Sequence, residues 1–117
     1  MGQLTTHVLD TAQGIPARDV RIVLYRVAGL DRTTIGSAVT NQDGRVDGPL
    51  LTGGSFTAGT YELVFDIDRY FRSQPVDVTT PPFLDFVTIR FTVIDAERNH
   101  HVPLLVSPWA YSTYRGS

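Results

Sequence analysis

Tyr61-Glu62-Leu63-Val64-Phe65-Asp66-Ile67-Asp68 alternates apolar and polar side chains almost without a break. Tyr61, Leu63, Phe65 and Ile67 fall on one side, and Glu62, Asp66 and Asp68 on the other, with only Val64 out of character. A period of two is the spacing of a strand with one buried face and one wet face. The same rhythm returns in Val87, Ile89, Phe91 and Val93, set between Thr88, Arg90 and Thr92. It appears again where Val20, Ile22 and Leu24 oppose Arg21, Val23 and Tyr25. Turn chemistry separates the runs at Gln13-Gly14-Ile15-Pro16, Gln42-Asp43-Gly44, Gly53-Gly54 and Thr80-Pro81-Pro82. Short strands at this spacing predict an all-β sandwich or barrel. One short helix is expected at Asp68 to Arg72, capped by Asp68 and stopped at Ser73-Gln74-Pro75, because proline cannot continue the hydrogen-bond ladder.

The chain has 117 residues, enough for one domain over residues 1–117 with a single core. It contains no cysteine, which removes disulfides, thiolate metal sites and a cysteine nucleophile. All ten basic residues are arginine, yet the net charge is −2, so nothing favours nucleic acid or an acidic membrane surface. No segment approaches the roughly 18 apolar residues that a spanning helix requires. The first ten residues lack a charged region followed by an apolar stretch, and a cytoplasmic location is expected.

The stretch His101-Val102-Pro103-Leu104-Leu105-Val106-Ser107 departs from the alternating pattern. Val102, Leu104 and Val106 are apolar on one face, and Pro103 and Leu105 on the other. A strand apolar on both faces in a small sandwich predicts something packed on its outside, and another copy of the chain is the economical candidate. Pro103 has no N–H to give a ladder, so it belongs at a bulge or on an unpaired side.

Several polar residues invite a functional reading, although each has a plainer one. His7 shares a strand face with Thr5 and Leu9; alone, it fits a partly buried histidine bonded to backbone. His100 and His101 are adjacent, so on a strand they point to opposite faces and at most one of them can join His7. Arg45 follows the turn Asp43-Gly44 and, alone, reads as a solvated turn arginine. Tyr114 fits a sheet-face aromatic, and Arg115 a solvated tail charge. Asp47, Asp66 and Asp68 are explained by strand ends and a helix cap. The three histidines lack a metal-binding spacing, Gly53-Gly54 lacks the spacing of a phosphate loop, and no Gly-x-Ser-x-Gly elbow is present.

Taken together, the two ends of the chain say more. Thr6-His7-Val8-Leu9-Asp10 opens it, and Tyr111-Ser112-Thr113-Tyr114-Arg115-Gly116-Ser117 closes it. Between them stand Gly14-Ile15-Pro16-Ala17, Asp43-Gly44-Arg45, Gly59-Thr60-Tyr61 and His101-Val102-Pro103-Leu104-Leu105. In these motifs the chain resembles the transthyretin family, and within it the branch that hydrolyses 5-hydroxyisourate rather than the hormone carriers. The resemblance implies a two-sheet β-sandwich of about eight strands with one short helix. It also implies a homotetramer whose central channel carries the sites. His7, Arg45, His101 and the tail from Tyr114 to Ser117 fall on the family's site positions.

The implied reaction opens the six-membered ring of 5-hydroxyisourate by hydrolysing its cyclic amide, with no cofactor and no metal. His7 and His101 would handle water and protons, Arg45 would bind and stabilise charge, and Tyr114 would position the ring. Ser117 would complete a proton relay through its hydroxyl or its terminal carboxylate. Which group activates water stays open. The alternative within the family is a small-ligand carrier. Outside it, a structural β-sandwich module of the kind found in surface adhesins shares the turn-and-strand rhythm of Asp43-Gly44-Arg45 and Gly59-Thr60-Tyr61.

Overall fold

The alternating stretches pair with one another in a computed structural model that describes residues 1–117. In chain order the strands are β1 (Gln3–Thr5), β2 (Val8–Asp10), β3 (Ile15–Pro16), β4 (Arg21–Ala28), β5 (Asp31–Val39), β6 (Leu51–Thr52) and β7 (Gly59–Asp66). The helix α1 (Ile67–Arg72) follows, and then β8 (Phe86–Val93), β9 (His100–His101), β10 (Leu104–Val106) and β11 (Tyr111–Ser112).

One layer is the antiparallel sheet β5-β4-β7-β8. Its register sets Leu63 opposite Leu24 and Ile89, and Phe65 opposite Ile22 and Val87. Apolar residues therefore meet across the strands on the face that turns inward. The second layer consists of β6-β1-β9 and β11-β10-β2-β3. These two pieces are continuous: Val102 N–H donates to the Thr5 carbonyl at 2.9 Å and Leu104 N–H to the His7 carbonyl at 2.9 Å. The core lies between the layers, with Leu4, Val8, Leu63, Phe65 and Leu104 fully buried. The all-β sandwich with one short helix is what the alternation predicts.

The elements differ from expectation in several places. Two anticipated strands are split, at Thr6-His7 and at Val102-Pro103, and in the second proline interrupts the ladder. Ile15-Pro16, part of an expected turn, is a short returning strand beside β2. The helix begins at Ile67 and is capped by Asp66, which accepts from Arg69 N–H at 3.2 Å. Asp68 lies in the first turn instead, paired with Arg72 at 3.0 Å across one helical turn. Ile67 continues the buried series of β7 and is fully buried, so its burial fits either backbone and only the cap marks the change.

Asp10 ties the helix to the second layer. Its fully buried carboxylate accepts from Ala12 N–H at 2.9 Å, from Gln13 N–H at 3.0 Å, and from the Tyr70 hydroxyl at 2.8 Å. Burial, and then the bond to Asp10, push the Tyr70 hydroxyl well above its ordinary pKa. No helix is long and apolar enough to cross a membrane.

Candidate active site

Alternation along β1 and β2 divides the first strand into two faces. Leu4, Thr6, Val8 and Asp10 are buried, whereas Thr5, His7 and Leu9 are half-buried on the outer face. That outer face carries the candidate site.

Cross-strand register then brings distant residues together. His7 bridges Arg45 in antiparallel fashion, and Thr5 lies directly opposite His101 in the parallel β1–β9 pair. Directly opposed residues project to the same face. Arg45, His7, Thr5 and His101 thus form a lateral row, from segments separated by up to 96 positions in sequence. His7 Nδ1 is 3.2 Å from His101 Nε2, and the two rings are nearly parallel and meet edge to edge, with centroids 5.4 Å apart. His101 Nδ1 is 2.8 Å from the Thr5 hydroxyl.

Arg45 is held by a turn built around Asn41. The Asn41 side-chain oxygen accepts from Asp43 N–H at 2.9 Å and from Arg45 N–H at 3.2 Å, and Asn41 N–H donates to the Arg45 carbonyl at 2.7 Å. Gly44, at φ +73°, sits against the Val8 carbonyl so closely that a side chain would collide with it. That close approach locks the turn onto the strand bearing His7. No acidic side chain pairs with the Arg45 guanidinium.

The uncompensated guanidinium shapes the titration of both rings. His7 is held below the ordinary histidine value by burial, then by the Arg45 charge, then by His101. His101 is held down by burial and then by Arg45. Both imidazoles are therefore neutral at neutral pH, able to accept a proton and then to return it. The row can thus move protons beside a permanent cation. No group of three histidine, cysteine, aspartate or glutamate side chains lies together in a metal-binding cluster.

The neighbouring histidine points the other way, as adjacent strand residues must. His100 is 5% exposed, its Nδ1 lies 3.0 Å from the Arg98 carbonyl, and its ring meets Phe56 edge-on at 5.6 Å. It belongs to the packing of the sandwich.

The tail is docked along β9. Gly116 N–H donates to the His101 carbonyl at 2.7 Å and His101 N–H to the Gly116 carbonyl at 3.0 Å. A Cβ on Gly116 would stand 3.1 Å from the His101 Cβ, so glycine keeps the tail clear of the ring. Tyr114 and Ser117 are not brought to the row within one chain, and no hydrogen bond links either to His7, Arg45 or His101. Tyr114 borders a groove with Ile89, Phe91, His100 and Val102, and Ser117 lies with Met1, Glu97 and Arg98. Sequence reading gave no role to Thr5 or Asn41, and none to Gly116 beyond its place in the tail. For Thr5 a signal was present, since it shares the face of His7 two residues away.

Residues 4–116 match the model of the HIUase/Transthyretin family. The chain is 57% identical over 116 residues to 5-hydroxyisourate hydrolase 2 of Rhizobium meliloti, covering 99% of this chain and 97% of that protein. The crystal structure of (S)-allantoin synthase superposes with a TM-score of 0.94 at 48% identity, over 99% of this chain and 44% of that one. Sea bream transthyretin in complex with thyroxine superposes with a TM-score of 0.85 at 28% identity, over 97% of this chain and 94% of that one. A match from the first core leucine to the glycine of the tail, with a relative more than half identical end to end, shows that the chain belongs to the HIUase/transthyretin family.

Proposed function

We propose that this chain hydrolyses the cyclic amide of 5-hydroxyisourate, giving 2-oxo-4-hydroxy-4-carboxy-5-ureidoimidazoline. The observation that carries the reading is the row of two imidazoles in contact at 3.2 Å beside an arginine with no acidic partner. The Rhizobium meliloti relative bears the name of that activity. Hydrolysis of an amide needs a base for water, a partner for the developing oxyanion, and a proton for the leaving nitrogen. His7 and His101 supply the first and the last. Arg45 supplies the second, its rigid fork meeting a carbonyl oxygen or an anionic ring.

The row lies on the outer face of its sheet, open to solvent in a single chain. A homotetramer encloses it in a channel, and there Tyr114 positions the substrate ring while Ser117 joins the proton relay, both reaching the row from a neighbouring copy. The cytoplasm is the compartment in which this assembly works. A ligand carrier has no use for two proton-accepting rings beside a bare guanidinium. Freshly generated 5-hydroxyisourate, followed by its ultraviolet absorbance, tests the choice: catalytic acceleration supports the hydrolase. Stoichiometric thyroxine binding without acceleration supports the carrier.

A further inference from the structure

The two hydrogen bonds in the row constrain each other. The single contact between His7 Nδ1 and His101 Nε2 holds one proton, and each neutral ring carries one. If His7 donates, its proton is on Nδ1, His101 Nε2 is bare, and the proton of His101 is on Nδ1 as well. If His101 donates, both rings carry their protons on Nε2. The two imidazoles therefore share one tautomer, and whatever contacts His101 Nδ1 chooses it for both. That contact is the Thr5 hydroxyl at 2.8 Å, the one hydrogen bond this hydroxyl makes within the chain.

We propose that Thr5 is a positioning residue that accepts the Nδ1 proton of His101, and so fixes both rings in the Nδ1–H form with the Nε2 lone pair of His7 bare. Two observations show that the contact is built into the fold, and the solvent access of Thr5 favours its direction. Thr5 and His101 are opposed in strand register, so the hydroxyl is delivered to Nδ1 by the backbone rather than by a free side chain. Thr5 is half-buried on the outer face, so its own hydrogen can reach solvent and need not be given to the ring. Within one chain no carboxylate pairs with His101 to fix the ring instead.

The inference rests on the hydrolase reading for its purpose. A base needs a lone pair facing the water it deprotonates, and the opposite order would present only an N–H. With Nε2 bare, a proton from water lands on His7 Nε2 and the new hydroxide adds to the amide carbonyl. The positive charge on His7 is shared with His101 as the Nδ1 proton of His7 moves toward His101 Nε2. Both Nδ1 and Nε2 of His101 then act as donors, and Thr5 remains the acceptor at Nδ1. The proton held by the pair is the one later returned to the leaving nitrogen.

Nitrogen NMR of the histidine side chains at neutral pH, with turnover of 5-hydroxyisourate, tests this on the wild type, Thr5→Val and Thr5→Ser. The wild type is expected to show His101 protonated on Nδ1, the form less populated in free histidine. Thr5→Ser should keep that form and stay within about twofold of wild-type kcat, since a hydroxyl is retained. Thr5→Val should return His101 to the Nε2–H form and lower kcat about tenfold, the scale of one hydrogen bond lost from a transition state, with KM little changed. A wild-type His101 carrying its proton on Nε2 would overturn the proposal, as would a folded Thr5→Val with the wild-type tautomer and rate. Absence of hydrolysis by a wild type with the Nδ1–H form would overturn the functional reading and leave the assignment of Thr5 standing.

Discussion

The positive charge of Arg45 beside His7 and His101 has consequences that can be measured without substrate. Both histidines are depressed below the value near 6.5 that they have in an unfolded chain. Between the folded and unfolded values the unfolded chain binds more protons, so their contribution to stability is complete above about pH 6.5 and is lost as pH falls through that window. Replacing the cation, as in Arg45→Met, should raise both histidine values in an NMR titration of the free protein. Unmoved titrations would show that burial alone holds them down. The paired histidines give a second contrast. His101→Asn should reduce turnover by about 10²-fold, typical of losing a general acid–base group. His100→Asn should preserve turnover but cost about 1–3 kcal/mol in denaturant unfolding, because His100 is buried and bonded to Arg98 rather than facing the row. A larger kinetic loss from His100→Asn would mean that the faces are exchanged. Opposite faces for these neighbours were legible from adjacency alone. The role of Thr5 was not, because a hydroxyl becomes informative only once register puts a ring opposite it.

At the scale of elements, Gly44 and Gly116 hold the site in shape. Gly44 combines φ +73° with contact against the Val8 carbonyl, so Gly44→Ala should destabilise the fold by at least about 1–2 kcal/mol. It should also lower turnover by displacing Arg45, as denaturant unfolding and the rate assay would show. Wild-type stability and rate together would mean that the turn does not position the arginine. The strands with alternating faces, β4, β7 and β8, were readable because the core imposes a period of two on them. β5 was not, because Asp31 to Val39 is an edge strand with neither face in the main core and so carries no apolar rhythm. The helix was found nearly in place, but its cap was misplaced by two residues. Asp66 and Asp68 are both plausible caps by type, and only the backbone at Asp66, where the strand ends, decides between them. The convergence of His7, Arg45 and His101 is a product of register across three segments, which no local pattern in the sequence contains. Resemblance to known motifs brought them together before geometry did.

At the scale of the molecule, an open row on a sheet face is the reason the proposed mechanism calls for assembly. The apolar outer face of β10 gives less support for assembly than expected, since Pro103 is already buried and Leu105 half-buried within one chain. The exposure of the row itself is the stronger reason, and a sedimentation mass of four chains at micromolar concentration is expected. A mass of one chain would remove the channel. Deleting residues 114–117 should leave the sandwich folded, because the core lies upstream, while removing most of the activity along with Tyr114, Ser117 and the Gly116 pairing to His101. The central claim is that the histidine–arginine row is a catalyst, and it is tested most directly by the ultraviolet-monitored decay of freshly generated 5-hydroxyisourate. Decay should accelerate in proportion to wild-type protein and return nearly to the spontaneous rate with a folded His101→Asn. Equal acceleration by the two proteins, or none by the wild type, would contradict it.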